Sequence, residues 1–207
     1  MARDERFTQL LVNDAISAEP DWDHTIRHKV VGLDAATTYY YRFVAGASTS
    51  AVGRTRTAPA ANAAVAQLKF AFISCQDWSV NHWAAFDELA AQDLDFIVHL
   101  GDYVYETVNA GFQTGAVEDA HAPLSLPDGA PRGDGARYAT TLADYRSLYR
   151  NYRSDARLQA LHARFPMIAI WDDHEFSDDC WQDRQTYATN DDVTPLTARR
   201  RDASQAW

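Results

Sequence analysis

The run Asp95-Phe-Ile-Val-His-Leu-Gly-Asp-Tyr-Val-Tyr-Glu106 passes without a break from an apolar segment into a cluster of acidic and phenolic side chains. A short apolar run closed by turn formers has the length of a buried strand, and Gly101-Asp102 supplies the turn. Two further segments repeat the pattern. Leu68-Lys-Phe-Ala-Phe-Ile-Ser74 leads into Cys75-Gln-Asp77, and Met167-Ile-Ala-Ile-Trp171 leads into Asp172-Asp-His-Glu175. Between the first two, Trp83, Phe86, Leu89 and Ala90 recur at helical spacing and complete a β-α-β unit. Leu142, Tyr145, Leu148 and Tyr149, then Leu158, Leu161 and His162, mark two more helices before the Phe165-Pro166 stop. Strands alternating with helices predict an α/β domain on a parallel sheet. The carboxyl ends of its strands share one edge, where side chains of different loops converge on a ligand.

Upstream the period changes. Residues 58–66 are small and uncharged with one proline, which marks a linker between residues 1–57 and 67–207. In the first part, Thr38 to Val44 alternates so that Tyr39, Tyr41 and Phe43 share a face, and Gly53 to Thr57 follows a turn-rich stretch. Gly32-Leu33 followed by Tyr39 looks like the corner of an immunoglobulin or fibronectin type III sandwich, in which a tyrosine hydroxyl ties back to the backbone just upstream. Such a sandwich needs about 100 residues, so the segment reads as its C-terminal part. The stretch from 110 to 137 reads as a Gly- and Pro-rich insertion. Ala198 to Trp207 reads as a basic helix ending without a stop signal, as if the chain began and ended inside larger units.

Composition narrows the classes. A chain 46% hydrophobic and 23% charged is neither disordered nor fibrous. No apolar stretch reaches the roughly 18 to 20 residues of a membrane span, and Met1 to Arg6 is no signal core. With 19 basic against 29 acidic residues the net charge is -10, which argues against nucleic-acid binding and is compatible with cations. Cys75 and Cys180 form no disulfide framework or CxxC pair.

The three strand ends carry the chemistry. Hard cations want carboxylate oxygens, and ferric iron also accepts phenolate and thiolate, so Cys75, Asp102, Tyr105 and Asp173 form a mixed candidate metal site. Other uses of these residues are commoner in general. A lone cysteine is usually a buried small hydrophobe, and Gly-Asp is usually a turn. Asp172 and Asp173 point apart, so one binds and the other orients a neighbour. Arg146, Arg150, Arg153 and Arg157 read as a solvated helix face rather than a phosphate site. His99 reads as structural. His24, His28, His82 and His121 lie away from the strand ends, Cys180 is structural, and the pairs Asp178-Asp179 and Asp191-Asp192 lack EF-hand spacing and read as surface.

Ser74-Cys75-Gln76, Asp95 to Glu106, Tyr149 to Pro166 and Trp171 to Glu175, in this order, resemble the PhoD-type alkaline phosphatases of the metallophosphoesterase superfamily. Gly101 to Tyr105 is also similar to the purple acid phosphatase pattern in which the tyrosine binds ferric iron. The resemblance implies the first part of a metallophosphoesterase-like α/β sheet, preceded by part of the all-β domain. It implies Fe3+ and Ca2+ as cofactors, with Asp102 bridging, Cys75 and Tyr105 on Fe3+, and Asp173 where many relatives place a metal-binding asparagine. His174 is then the phosphate contact or leaving-group acid. The implied activity is hydrolysis of phosphate esters by a metal-activated hydroxide, in an exported, secreted or periplasmic protein expected as a monomer. Family members continue past this C-terminus with further ligands. The alternative is therefore a truncated homologue acting as a calcium-dependent interaction module.

Overall fold

The computed structural model describes residues 1–80, 82–113, 118, 121–187 and 195–207; Asp191 and Asp192 lie outside them. The first part is built from β1 (Thr38–Tyr41), a hairpin of β2 (Val44–Ala45) and β3 (Ser48–Thr49), and β4 (Gly53–Arg56). Strands β1 and β4 pair antiparallel, with Tyr39 opposite Thr55. Tyr39 is fully buried and its hydroxyl accepts the backbone N–H of Asp34 at 2.8 Å, the upstream tie that its position suggests. The alternation ends early: Phe43 falls after β1 and is exposed, because the chain turns into the hairpin.

In the second part, β5 (Phe70–Ile73), α1 (Ala85–Ala91) and β6 (Phe96–His99) form the expected β-α-β unit. Beyond it, β7 (Thr107–Val108) just before the Gly- and Pro-rich insertion pairs with β9 (Arg137–Tyr138) at its end, and β8 (Ala130–Pro131) inside it completes a small antiparallel sheet in the order β7-β9-β8. Two-residue strands are too short to leave a period in the sequence. Helix α2 (Leu142–Tyr152) opens on a reciprocal cap in which the Thr141 hydroxyl accepts from Asp144 N–H and the Asp144 carboxylate accepts from Thr141 N–H. Helix α3 (Ala156–Arg164), β10 (Met167–Ala169) and α4 (Thr197–Ala206) follow.

The main sheet is parallel in the order β10-β6-β5. Period two divides its side chains. Ile97 and His99 turn to the core under the helices, where Trp83, Tyr145, Leu148, Leu158 and Leu161 pack. Phe70, Phe72, Ile168 and Ile170 turn the other way and are more than half exposed. The apolar runs predict strands buried on both faces, as parallel sheets usually are; here no element among the described residues covers the second face.

The four arginines lie at the surface, with Arg150 and Arg153 exposed as a solvated face requires, and each also has a partner. Arg146 donates to the carbonyl of Asp21, Arg150 pairs with Asp23 at 2.8 Å, and Arg153 lies over the Tyr103 ring. Arg157 bonds Asp155 and Glu118. Helical spacing shows that they share a face, not what packs there. Asp155 caps α3 by accepting from Arg157 N–H and Leu158 N–H, and it also holds buried His121 at 2.8 Å. His121 in turn stacks on Trp78 with centroids 3.6 Å apart, pinning the insertion to the helices.

Buried polar groups set the strand-end loops against one another. Tyr152 Oη accepts from Trp78 N–H and Tyr105 N–H, each at 3.1 Å, joining the loops after β5 and β6. Glu175, fully buried, accepts from Asp102, Tyr103 and Asp172 N–H at 3.1, 2.6 and 2.8 Å, joining the loops after β6 and β10. Gly101, at φ +109°, lies so close to Asp172 that a Cβ there would come within 2.5 Å of its backbone nitrogen. A side chain at 101 would push these two loops apart.

Two outcomes follow from these ties. Glu175→Gln replaces one accepting oxygen with a donor facing an N–H, so it should cost about 1–3 kcal/mol in denaturant unfolding. An unchanged midpoint would show that the loops do not depend on it. Burial alone would raise the Asp155 carboxyl, but Arg157, His121 and the Leu158 amide outweigh burial and hold it at about 2. Its contribution, of order 2 kcal/mol, should be complete above the unfolded value of about 3.9 and be lost as pH falls through about 2. Asp155→Asn should remove that acid-dependent component from the stability profile.

Candidate metal centre

The carboxyl ends of β5, β6 and β10 bring the expected residues to one edge. Cys75 N–H donates to Gly101 O and Gln76 N–H to Asp102 O, so the first two loops run together beyond the sheet. Both Cys75 and Asp102 adopt left-handed backbone conformations, at φ 55° and 56°. Non-glycine residues take that conformation at a cost of about 1–3 kcal/mol, and its presence at two facing positions marks loops shaped by something other than local preference.

Asp102 is the focus. Its Oδ2 accepts from Cys75 Sγ at 3.4 Å and from Tyr105 Oη at 3.3 Å, while its buried Oδ1 has no partner among the described residues. Asp102, Asp173 and His174 place ligand atoms within 4.8 Å of one another. Cys75 is exposed, which removes the reading of a buried small hydrophobe. Asp172 is exposed, and its charge is felt at Asp102. Of the histidines set aside, His99 is indeed a core residue: its Nδ1 accepts from Gly101 N–H, and burial lowers it to about 4. His82 is exposed and precedes α1. Cys180 packs against the core.

Asp178 is half-buried and Asp179 exposed, in keeping with a surface position, but both have an acidic neighbour. The chain after β10 curls so that Phe176 and Ser177 N–H donate to Asp173 O, and the next turn brings Asp178 and Asp179 back beside Asp173. These three carboxylates also place oxygens within 4.8 Å of one another. An EF-hand test on linear spacing cannot find ligands collected by a turn.

Glu106 carries a role that its place in the motif did not announce. It is fully buried, accepts from Asp178 N–H, and pairs with His174 Nδ1 at 2.7 Å. The available signal was a carboxylate inside the buried run Tyr103 to Val108, where a charge requires a partner. Burial works against charge on His174, yet the Glu106 hydrogen bond and charge, with Asp102 and Asp173 adding, raise it to about 9. Burial raises the Asp102 carboxyl, opposed by His174 and Cys75 and reinforced by Asp173 and Asp172. Tyr105 is likewise pushed up, first by burial and then by Asp102 and Cys75. These groups are mutually unfavourable without added positive charge.

The donor set fits a cation. A buried carboxylate with one unpartnered oxygen, flanked by a thiol, a phenol and a second carboxylate, lacks the charge that would offset its burial. A cleft of about 670 Å³ is lined by residues that include Trp22, Arg146, Arg150 and Trp207 and by no residue of the strand-end loops. Volume there reflects an open seam between the N-terminal segment and the helices, whereas the reactive side chains converge at the strand ends.

Comparison with known proteins identifies the family. The model of the PhoD-like phosphatase family matches residues 70–207, and that of the PhoD-like phosphatase N-terminal domain matches residues 1–59. Alkaline phosphatase D of Bacillus subtilis (strain 168) is 37% identical over 177 residues, covering 84% of this chain and 28% of that protein. A solved structure described as the structure of PhoD superposes with a TM-score of 0.78 at 33% identity, over 99% of this chain and 37% of that one. The chain thus spans about a third of the length of these relatives. With the family's pattern running through more than half of its residues and the solved relative following nearly all of its backbone, the chain belongs to the PhoD-like phosphatase family.

Proposed function

We propose that the protein hydrolyses phosphate esters at the strand-end cluster, with Fe3+ held by Cys75, Tyr105 and Asp102 and Ca2+ held by Asp102 with Asp173. The observation that supports this most is Asp102 itself, with thiol and phenol on one oxygen and the other buried without a partner. When bound, the cations supply positive charge against an anionic ester and make bound water acidic enough to attack at moderate pH.

The chain's own residues do the rest. Glu106 accepts from His174 Nδ1 and favours the imidazolium, whose Nε2–H, 3.6 Å from Asp178 Oδ1, is the group to touch a phosphate oxygen or protonate the departing alkoxide. Glu175 and Tyr152 hold the loops in register, because a displacement of about 1 Å at such a site can cost roughly a hundredfold in rate. Asp178 and Asp179 add carboxylate oxygens of the kind that calcium prefers. Residues 1–57 fit the C-terminal part of an immunoglobulin or fibronectin III-like domain, supported by the Tyr39 to Asp34 tie, with 58–66 as the linker. Export follows the family's habit and is part of the same proposal.

Iron bound to a phenolate and a thiolate should give a visible charge-transfer band in the metal-loaded protein, and Tyr105→Phe should shift or remove it. Stoichiometric iron without colour would overturn the ligand assignment. Asp102→Asn should lower both metal content and turnover of aryl phosphates, whereas loss of a surface aspartate costs less than about 0.5 kcal/mol of stability and no metal. Metal analysis and a phosphatase assay on the folded variant decide between them. Calcium alone with no turnover would favour an interaction module.

A further inference from the structure

One side chain at the rim of the site has no part in holding metal. Phe112 lies on a single 3-10 turn, Gly111–Gln113, and its side chain is 48% exposed. Scattered exposed apolar residues are ordinary on a protein surface, so exposure alone says nothing. The anchoring of the turn does. Gln113, next in the chain, is buried; its Oε1 accepts from Ala110 N–H at 3.0 Å, and its Nε2 donates to Asp77 Oδ2 and to Thr107 O, each at 3.0 Å. Its backbone N–H donates to Ala110 O at 2.8 Å. Asp77, Thr107 and Ala110 are themselves buried. A turn anchored through buried Gln113 therefore holds a phenyl ring out in water.

The direction of that ring matters. Its centroid stands 6.1 Å from Tyr105 and 6.0 Å from His174, whose rings are 4.1 Å from each other. The three rings form a wall in which Tyr105 and His174 border the carboxylate cluster and Phe112 extends away from it into solvent. On the reading of the site given above, on which this inference rests, the phosphoryl group lies against the cations and His174. The group esterified to it must then leave toward the open side, where the Phe112 ring stands.

We propose that Phe112 is a specificity residue whose ring packs against the organic substituent of the ester, so that the site prefers phosphate esters carrying an aromatic ring over those of small alcohols. Offset or edge-to-face aromatic pairs contribute enough beyond buried area to give about a tenfold preference. A preorganised ring loses little freedom on contact, and Gln113 supplies that preorganisation.

The test is binding of two stable analogues, phenylphosphonate and methylphosphonate, to the iron- and calcium-loaded protein by titration calorimetry, in the wild type, Phe112→Ala and Phe112→Leu. The wild type should bind phenylphosphonate about tenfold more tightly. Phe112→Ala should abolish the preference with methylphosphonate affinity unchanged, and Phe112→Leu should restore only part of it. Equal affinities in the wild type, or a preference that survives in Phe112→Ala, would overturn the assignment. A preference that depends on Phe112 in a protein that cleaves no aryl phosphate would uphold the ring's role and overturn the hydrolase reading. Failure to bind either analogue would overturn both.

Discussion

A buried carboxylate that accepts three backbone N–H groups fixes most of what this chain places at its sheet edge. Glu175 has no access to water, and a carboxylate in that position is tolerable only because Asp102, Tyr103 and Asp172 direct amides at it. Those amides belong to two different strand-end loops, so satisfying one side chain locks the loops together. Tyr152 does the same for the first pair with a single hydroxyl. Three loops that sequence separates are thereby set by two buried polar side chains. The left-handed turns at Cys75 and Asp102 are the conformational cost of that arrangement.

The same convergence concentrates negative charge. Asp173 belongs to two close groups, one with Asp102 and His174 and one with Asp178 and Asp179, with Glu106 behind His174. A protein of net charge -10 has no general surplus of positive charge to relieve this. Structural acids usually answer to arginine, as Asp155 does to Arg157 and Asp23 to Arg150. Among the described residues, the strand-end acids Asp102, Asp173 and Asp178 form no ion pair with an arginine, and this contrast within one chain sets them apart from the scaffold acids.

Much of this was legible in the residues. Three apolar runs, each ending in polar side chains, located the parallel sheet and the edge at which those side chains gather, because strand period and helix period are written directly in side-chain type. Asp102, Cys75, Tyr105, Asp173 and His174 were named on that basis and on the family resemblance, and the fold brings them to one edge. What escaped was everything that depends on packing. Arg199 looked like part of a basic tail, yet it is buried, donates to Ala139 O and Phe176 O, and stacks among Tyr138, Phe176 and Tyr187. His121 looked like a loop residue and is a buried staple between Trp78 and Asp155. Asp178 and Asp179 join Asp173 through a turn that no linear spacing encodes.

The uncovered face of the main sheet has a thermodynamic consequence. Phe70, Phe72, Ile168 and Ile170 remain hydrated in the folded chain, with Phe70 stacked on Phe96 at 5.2 Å as their chief shelter. Unfolding releases no fresh apolar surface where it was never removed from water, so these residues add little to the heat capacity of unfolding. The stability of this chain should therefore curve less with temperature than its length suggests. Whatever covers that face would sharpen the curve as well as raise it.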